Sequence, residues 1–174
     1  MKKVLFIIAF LLLSFGISNA CNYEFSSFGD AKKLISTKSG IEPTTFPDKF
    51  GAESLSIPMI DICEDKDFWD TKLEYFYINN KLVRIELLRV QQNDRKLMDH
   101  VMRKYGKFNL PVNIEKNKWR GVNEWEKGNE IIQFAVIDIP GGHAEVLRIM
   151  NKLYFNDLSD YYEKVGEWED SIQN

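Results

Sequence analysis

The stretch from Lys72 to Gly106, KLEYFYINNKLVRIELLRVQQNDRKLMDHVMRKYG, limits the possible fold more than any other part of the chain. On either side of Asn79-Asn80 apolar and polar residues alternate with the period of a half-buried strand. Asparagine tolerates the positive φ that a two-residue hairpin turn demands, so two antiparallel strands are expected here. In this reading Phe76 and Ile78 share one face, which Val83, Ile85 and Leu87 continue. Beyond the hairpin, Leu97, Val101 and Tyr105 recur every four residues, preceded by Asn93 or Asp94 as a cap and followed by Gly106 as a stop. That spacing predicts an amphipathic helix. One hairpin and one helix cannot bury their own apolar faces, so further strands are required.

The flanking sequence supplies them. Ser54 to Cys63 reads as a strand whose Pro58, lacking an N–H, confines it to an edge or a bulge. From Lys118 to Asp138 a second hairpin is expected around Lys127-Gly128-Asn129. Its second arm, IIQFAVID, is nearly continuous in apolar residues, as for a strand covered on both faces. Pro140-Gly141-Gly142 turns the chain, and Leu147, Ile149, Leu153 and Phe155 alternate onto one face of a last strand, Ala144 to Phe155. Near the start, Ser27 with Asp30 opens a short helix presenting Phe28, Ala31, Leu34 and Ile35, with Gly40 as its stop. Between Pro43, Pro47 and Gly51, Phe46 and Phe50 are expected to fold back onto the core. At the other end Asn156 or Asp157 caps a short helix carrying Leu158, Tyr161, Tyr162 and Val165, which Gly166 breaks. The sum is one α+β domain over residues 21–174. Its antiparallel sheet of about five or six strands has helices packed on one face, chiefly Asn93 to Tyr105.

Residues 1–20 are outside that domain. Lys2 and Lys3, the apolar run Val4 to Leu13 and the small residues Ser18 and Ala20 form the pattern of a cleavable signal peptide, which implies a periplasmic or exported protein. The apolar run extends about 15 Å as a helix, too short for a hydrocarbon core of about 30 Å, so no integral membrane segment is expected. Export puts Cys21 and Cys63, the two cysteines, in an oxidising compartment where a disulfide persists. Closing the loop between them is worth roughly 4 kcal/mol in the chain-entropy model. Ala20-Cys21 also fits the end of a lipoprotein cleavage pattern, which would make Cys21 a lipid anchor, although Ser18 stands where that pattern usually has Leu.

Chemistry is sparse. The 23 basic residues, less Lys2 and Lys3, face 26 acidic ones interleaved along the chain, which disfavours nucleic acid and favours a basic partner. Asp61, Glu64, Asp65, Asp67 and Asp70 crowd around Cys63, but an EF-hand beginning at Asp65 would need Gly at position 70 and Glu at position 76, where Asp70 and Phe76 stand. A solvated acidic loop is expected, with no metal. No glycine-rich phosphate loop and no Gly-x-Ser-x-Gly elbow occurs, so neither a cofactor nor an enzymatic activity is expected. Of the imidazoles, His100 lies off the helix stripe and should face solvent, while His143, after Gly141-Gly142, is the one candidate base for a small hydrolase.

Aromatic residues carry the binding hypothesis. Trp119 and Trp125 share a face by even spacing and are expected in the core. Tyr161, Tyr162 and Trp168 are interspersed with Glu163, Glu167, Glu169 and Asp170, an acidic and aromatic mixture suited to contact a basic protein. The order of hairpin, helix ending in Arg103-Lys104-Tyr105-Gly106, Pro111 and tryptophan-bearing strand at Trp119 resembles that of small exported bacterial α+β proteins. The resemblance spans roughly Lys72 to Asp138. It implies an immunity protein or inhibitor that occludes a partner, or an envelope-assembly accessory protein or lipoprotein, and it carries over no functional residue.

Overall fold

The computed structural model describes residues 21, 23–24, 26–40, 46–90 and 94–173. The expected leader, Pro43 and the expected cap at Asn93 lie outside these residues. In chain order the elements are α1 (Lys32–Ser39), β1 (Ala52–Pro58), β2 (Thr71–Ile78), β3 (Lys81–Val90), α2 (Lys96–Tyr105), β4 (Gly121–Lys127), β5 (Glu130–Ile139), β6 (Gly142–Asn151) and α3 (Phe155–Gln173). The six strands form one sheet in the order β1-β2-β3-β6-β5-β4, antiparallel throughout. Two three-stranded meanders thus meet at the β3–β6 pair, and each is followed by a helix, which is the α+β architecture expected.

Local chemistry explains the turns. Asn79 and Asn80 take φ of 50° and 61° between the paired residues Ile78 and Lys81, the mirror-image turn whose twist suits a hairpin. Gly141 takes φ 83° behind Pro140 to join β5 to β6. Pro58 ends β1, which is an edge strand, so its missing N–H costs no ladder bond.

The hairpin does not keep one face as its sequence suggests. Tyr77 pairs with Leu82 but Phe76 pairs with Arg84, so Val83 is an extra residue in a β-bulge. The bulge moves Ile85 and Leu87 to the face of Tyr75 and Tyr77, away from Phe76, Ile78 and Val83. Strict alternation across the turn fails because one inserted residue reverses every later side chain.

Two cores result. The larger, on the face of Tyr75, Ile85, Phe134 and Leu147, is covered by α1 through Ile35 and by α2 through Leu97, Met98 and Val101. Trp119 and Trp125 close its β4 end against Phe108, as expected of core residues. The smaller core lies on the opposite face, where Leu158 of α3 meets Ala52, Phe76, Ile78 and Val83. The sheet therefore carries α1 and α2 on one face and, in addition, α3 across part of the other.

Several boundaries differ from the sequence reading. Ser27 and Asp30 do form a local bond, Ser27 N–H to the Asp30 carboxylate at 2.9 Å, yet α1 begins only at Lys32, and Leu34 is exposed. Phe46 projects into solvent, whereas Phe50 packs on Tyr161 and Trp168. Gly106 has a positive φ of 117° but ψ of 153°, so it leads the chain out extended instead of closing a left-handed cap. β6 stops at Asn151, whose side chain accepts the Leu153 N–H at 2.9 Å and starts the turn into α3. Leu153 and Phe155 consequently leave the sheet and are exposed. α3 runs 19 residues straight through Gly166, because an isolated glycine costs a helix only about 1 kcal/mol relative to alanine. Finally, β5 is covered on one face only: Ile137 on its other face is exposed.

Candidate partner-binding surface

α3 is the element on which the acidic and aromatic residues converge. Asp157, Asp160, Glu163, Glu167, Glu169 and Asp170 are all exposed along it, against the single basic residue Lys164. Counting 100° per residue from the buried Leu158 turns Asp160 and Glu167 away from the sheet.

The aromatic residues play unequal parts. Tyr161 packs edge-on against Phe76, with ring centroids 5.3 Å apart, and donates its hydroxyl to Asp48 at 3.0 Å. Burial, and then the Asp48 carboxylate, push its pKa up to about 12. It serves to seat the helix. Tyr162, half exposed, accepts a hydrogen bond from Arg84. Trp168, 42% exposed, lies against Phe50 with the Lys49 ammonium 3.4 Å above its ring centre, a cation–π contact that fixes the indole while leaving an edge in solvent. Glu163, Glu167, Glu169 and Asp170, interspersed with these rings along the helix, are exposed.

Beside α3 the sheet is open. A cleft of about 740 Å³ lies between the helix and the strands, floored by Met150 and lined on the helix by Phe155, Leu158 and Tyr162, with Glu163 at its margin. Across Gln133 and Arg148 it continues into a smaller hollow over Val122, Ala135, Ile137 and Val146. Val122 is 62% and Ile137 44% exposed. The two arginines in this floor are matched: Arg148 Nε meets Glu86 at 2.6 Å, and Arg84 bonds Glu74 at 3.3 Å.

Other predicted groups fall elsewhere. His143 is not in a mobile turn. It is the second residue of β6, buried and paired with Asp138 across the sheet. His100 does not face solvent either: it is buried on α2, with Nε2 3.0 Å from the Tyr23 hydroxyl and its ring 4.9 Å from that of Phe68. Desolvation, and then Lys104 and Arg103, lower its pKa to about 4, so the imidazole that meets the Tyr23 hydroxyl is neutral. Lys104 also donates to Tyr23 at 3.1 Å and to Glu24 at 2.8 Å, which ties the N-terminal segment onto α2. The acidic loop is held by cations, Asp67 by Lys96 at 2.7 Å and Asp70 by Nε and Nη2 of Arg89, each at 2.9 Å. Among the described residues no acidic, histidine or cysteine cluster is arranged to hold a metal ion. Cys21 and Cys63 stand at disulfide distance, their Cα atoms 5.1 Å apart. No helix of the described residues is long and apolar enough to cross a membrane.

The chain matches no family model, no curated protein and no solved structure. Its functional reading rests on the surface just described.

Proposed function

We propose that this is a non-enzymatic binding protein of an exported compartment, most concretely an inhibitor or immunity protein that occludes a basic protein partner. The observation that carries the reading is α3, a helix seated against the sheet that holds six exposed carboxylates together with the half-exposed rings of Tyr162 and Trp168. Aromatic anchors supply affinity, and surrounding charge accelerates encounter with an oppositely charged surface. The burial of His143 within β6 speaks against hydrolysis, and the position of Cys21 beside Cys63 speaks against lipid anchoring through its thiol. The test is affinity capture from an envelope extract with the wild-type domain and the Glu167→Lys/Glu169→Lys variant in parallel. A basic protein retained by the wild type and lost by the variant supports the reading. An identical retained set from both overturns it.

A further inference from the structure

The open face beside α3 has the shape and charge of a second helix site. Strands lie about 4.8 Å apart, so the span from β3 across β6 and β5 to β4 is about 14 Å, wider than one helix of about 10 Å. α3 occupies the β1–β2 side, where Leu158 meets Phe76 and Trp168 meets Phe50, and leaves the β5–β4 side bare. Along this bare strip the floor is apolar at both ends, through Met150 at one and Val122, Ala135, Ile137 and Val146 at the other. Its middle is electrically balanced, because Arg148 and Arg84 are already neutralised by Glu86 and Glu74. An anionic ligand would therefore have to break existing ion pairs to be held there.

The margins decide the sign of what fits. On the α3 side Glu163 lines the cleft, and Asp170, two turns further along, falls on the same flank. On the β4 side Glu124 projects from the edge strand on the same face of the sheet as Val122, held by a hydrogen bond from Gln133 at 2.9 Å. An apolar trough with carboxylates on both banks matches one kind of surface: an apolar helical stripe flanked by cations.

Resting on the reading of α3 as the contact with a basic partner, we infer that this partner docks as an amphipathic helix. Its apolar stripe lies over Ile137, Val122 and Met150, and its lysines or arginines reach Glu163 on one side and Glu124 on the other. Helix on sheet buries the exposed valine and isoleucine, which removes apolar area from water, and the flanking charges set orientation. α3 then forms one wall of the site, and its exposed outer carboxylates are left to steer the approach.

The experiment uses a fluorescently labelled synthetic 18-residue peptide with leucines at helical spacing and lysines on both flanks. A scrambled peptide of identical composition and one with every Lys replaced by Glu are the controls. Anisotropy titrations against the domain should show saturable binding of the first peptide, gain of helical circular dichroism on binding, and at least tenfold weaker binding of both controls. Ile137→Asp and, separately, Glu163→Lys/Glu124→Lys should each weaken binding at least tenfold; the replaced side chains are exposed, so the melting temperature should hold and report an intact fold. Equal binding of the scrambled peptide overturns the inference. If Ile137→Asp binds normally while Trp168→Ala weakens binding, the contact is on the other flank of α3; the helix-in-trough inference then fails and the proposed function stands. If instead the Glu-substituted peptide binds as well as the Lys peptide, recognition of a basic partner fails, and the proposed function with it. Sedimentation of the domain alone as a dimer that Ile137→Asp converts to a monomer would assign the trough to a second copy of the chain and overturn the inference.

Discussion

Arg89 and Glu145 face each other across the central β3–β6 pair, guanidinium to carboxylate at 3.1 Å, each about 1% exposed. The other Glu145 oxygen accepts the backbone N–H of Met98 at 2.9 Å, in the first turn of α2. Burial pushes the Glu145 carboxyl up, against the Met98 N–H and Arg89, which pull it down. One carboxylate thus joins both meanders to the helix that covers the larger core. Removing one member of a buried pair leaves the other charge uncompensated, at about 3–5 kcal/mol. Arg89→Met and Glu145→Ala should each lower unfolding stability by about that amount in urea melts. Glu145→Gln should cost clearly less, about 1–2 kcal/mol, because its amide oxygen still accepts from Met98 and Arg89 keeps Asp70 and Asp94.

His100 makes stability depend on acid. Its pKa is about 4 in the fold against an ordinary value of 6.5. Between these values the unfolded chain takes up a proton that the folded one refuses. The contribution is complete above pH 6.5 and is lost as the pH falls toward 4, at up to about 1.4 kcal/mol per pH unit, or about 3 kcal/mol in total. The difference in stability between wild type and His100→Gln, measured from pH 7 to pH 4, should change by about that much in this window. A constant difference would show that the imidazole does not titrate as its burial requires.

Cys21 and Cys63, 42 positions apart, tie the N-terminal segment to the connection between β1 and β2. Protein isolated without reductant should contain no free thiol. Cys21→Ser/Cys63→Ser should be less stable by about 3–4 kcal/mol, the chain entropy of a loop this long, and the N-terminal segment around Tyr23 should become the first site of proteolysis.

Gly166 sits inside α3 without a positive φ, and a Cβ built there meets nothing within 4 Å. Gly166→Ala should therefore stabilise the helix by about 0.5–1 kcal/mol, by restricting the unfolded chain and raising helix propensity. Amide hydrogen exchange along residues 155–173 should slow, while a glycine kept for close approach of the backbone to a partner would show itself as lost binding without lost stability.

Much of the fold was legible because period and turn chemistry are local. Asn79-Asn80, Gly128 and Pro140-Gly141 each mark a turn without reference to anything distant, and the Leu97-Val101-Tyr105 stripe finds its core from spacing alone. Val83 could not be read as a bulge, because which face each half of the hairpin presents depends on the strands and helices packed above it. The buried charges do leave a signal in the sequence. Arg89 stands in phase with Ile85 and Leu87, and Glu145 in phase with Leu147 and Ile149, so two opposite charges occupied inward positions of two strands. His100 gave no comparable sign, since its burial depends on Tyr23, 77 positions away in sequence. The end of β6 departs from its sequence pattern for a similar reason: Leu153 and Phe155 continue the alternation, but the Asn151 side chain accepts the Leu153 N–H and starts a helix first.

Trp168 and its neighbouring carboxylates should separate the two halves of partner recognition. The indole is held between Phe50 and Lys49 with an edge in solvent, so truncating it removes a pre-positioned contact surface. Trp168→Ala should raise the dissociation rate of the captured partner about tenfold and leave the association rate nearly unchanged. Glu167 and Glu169 are exposed and make their main contribution at a distance. Glu167→Lys/Glu169→Lys should lower the association rate several-fold at low salt and much less once the Debye length falls below about 5 Å. Deleting residues 166–174 should combine both effects. If that deletion leaves both rates unchanged in surface plasmon resonance, the second half of α3 is a solvated extension and the contact lies nearer Phe155 and Tyr162.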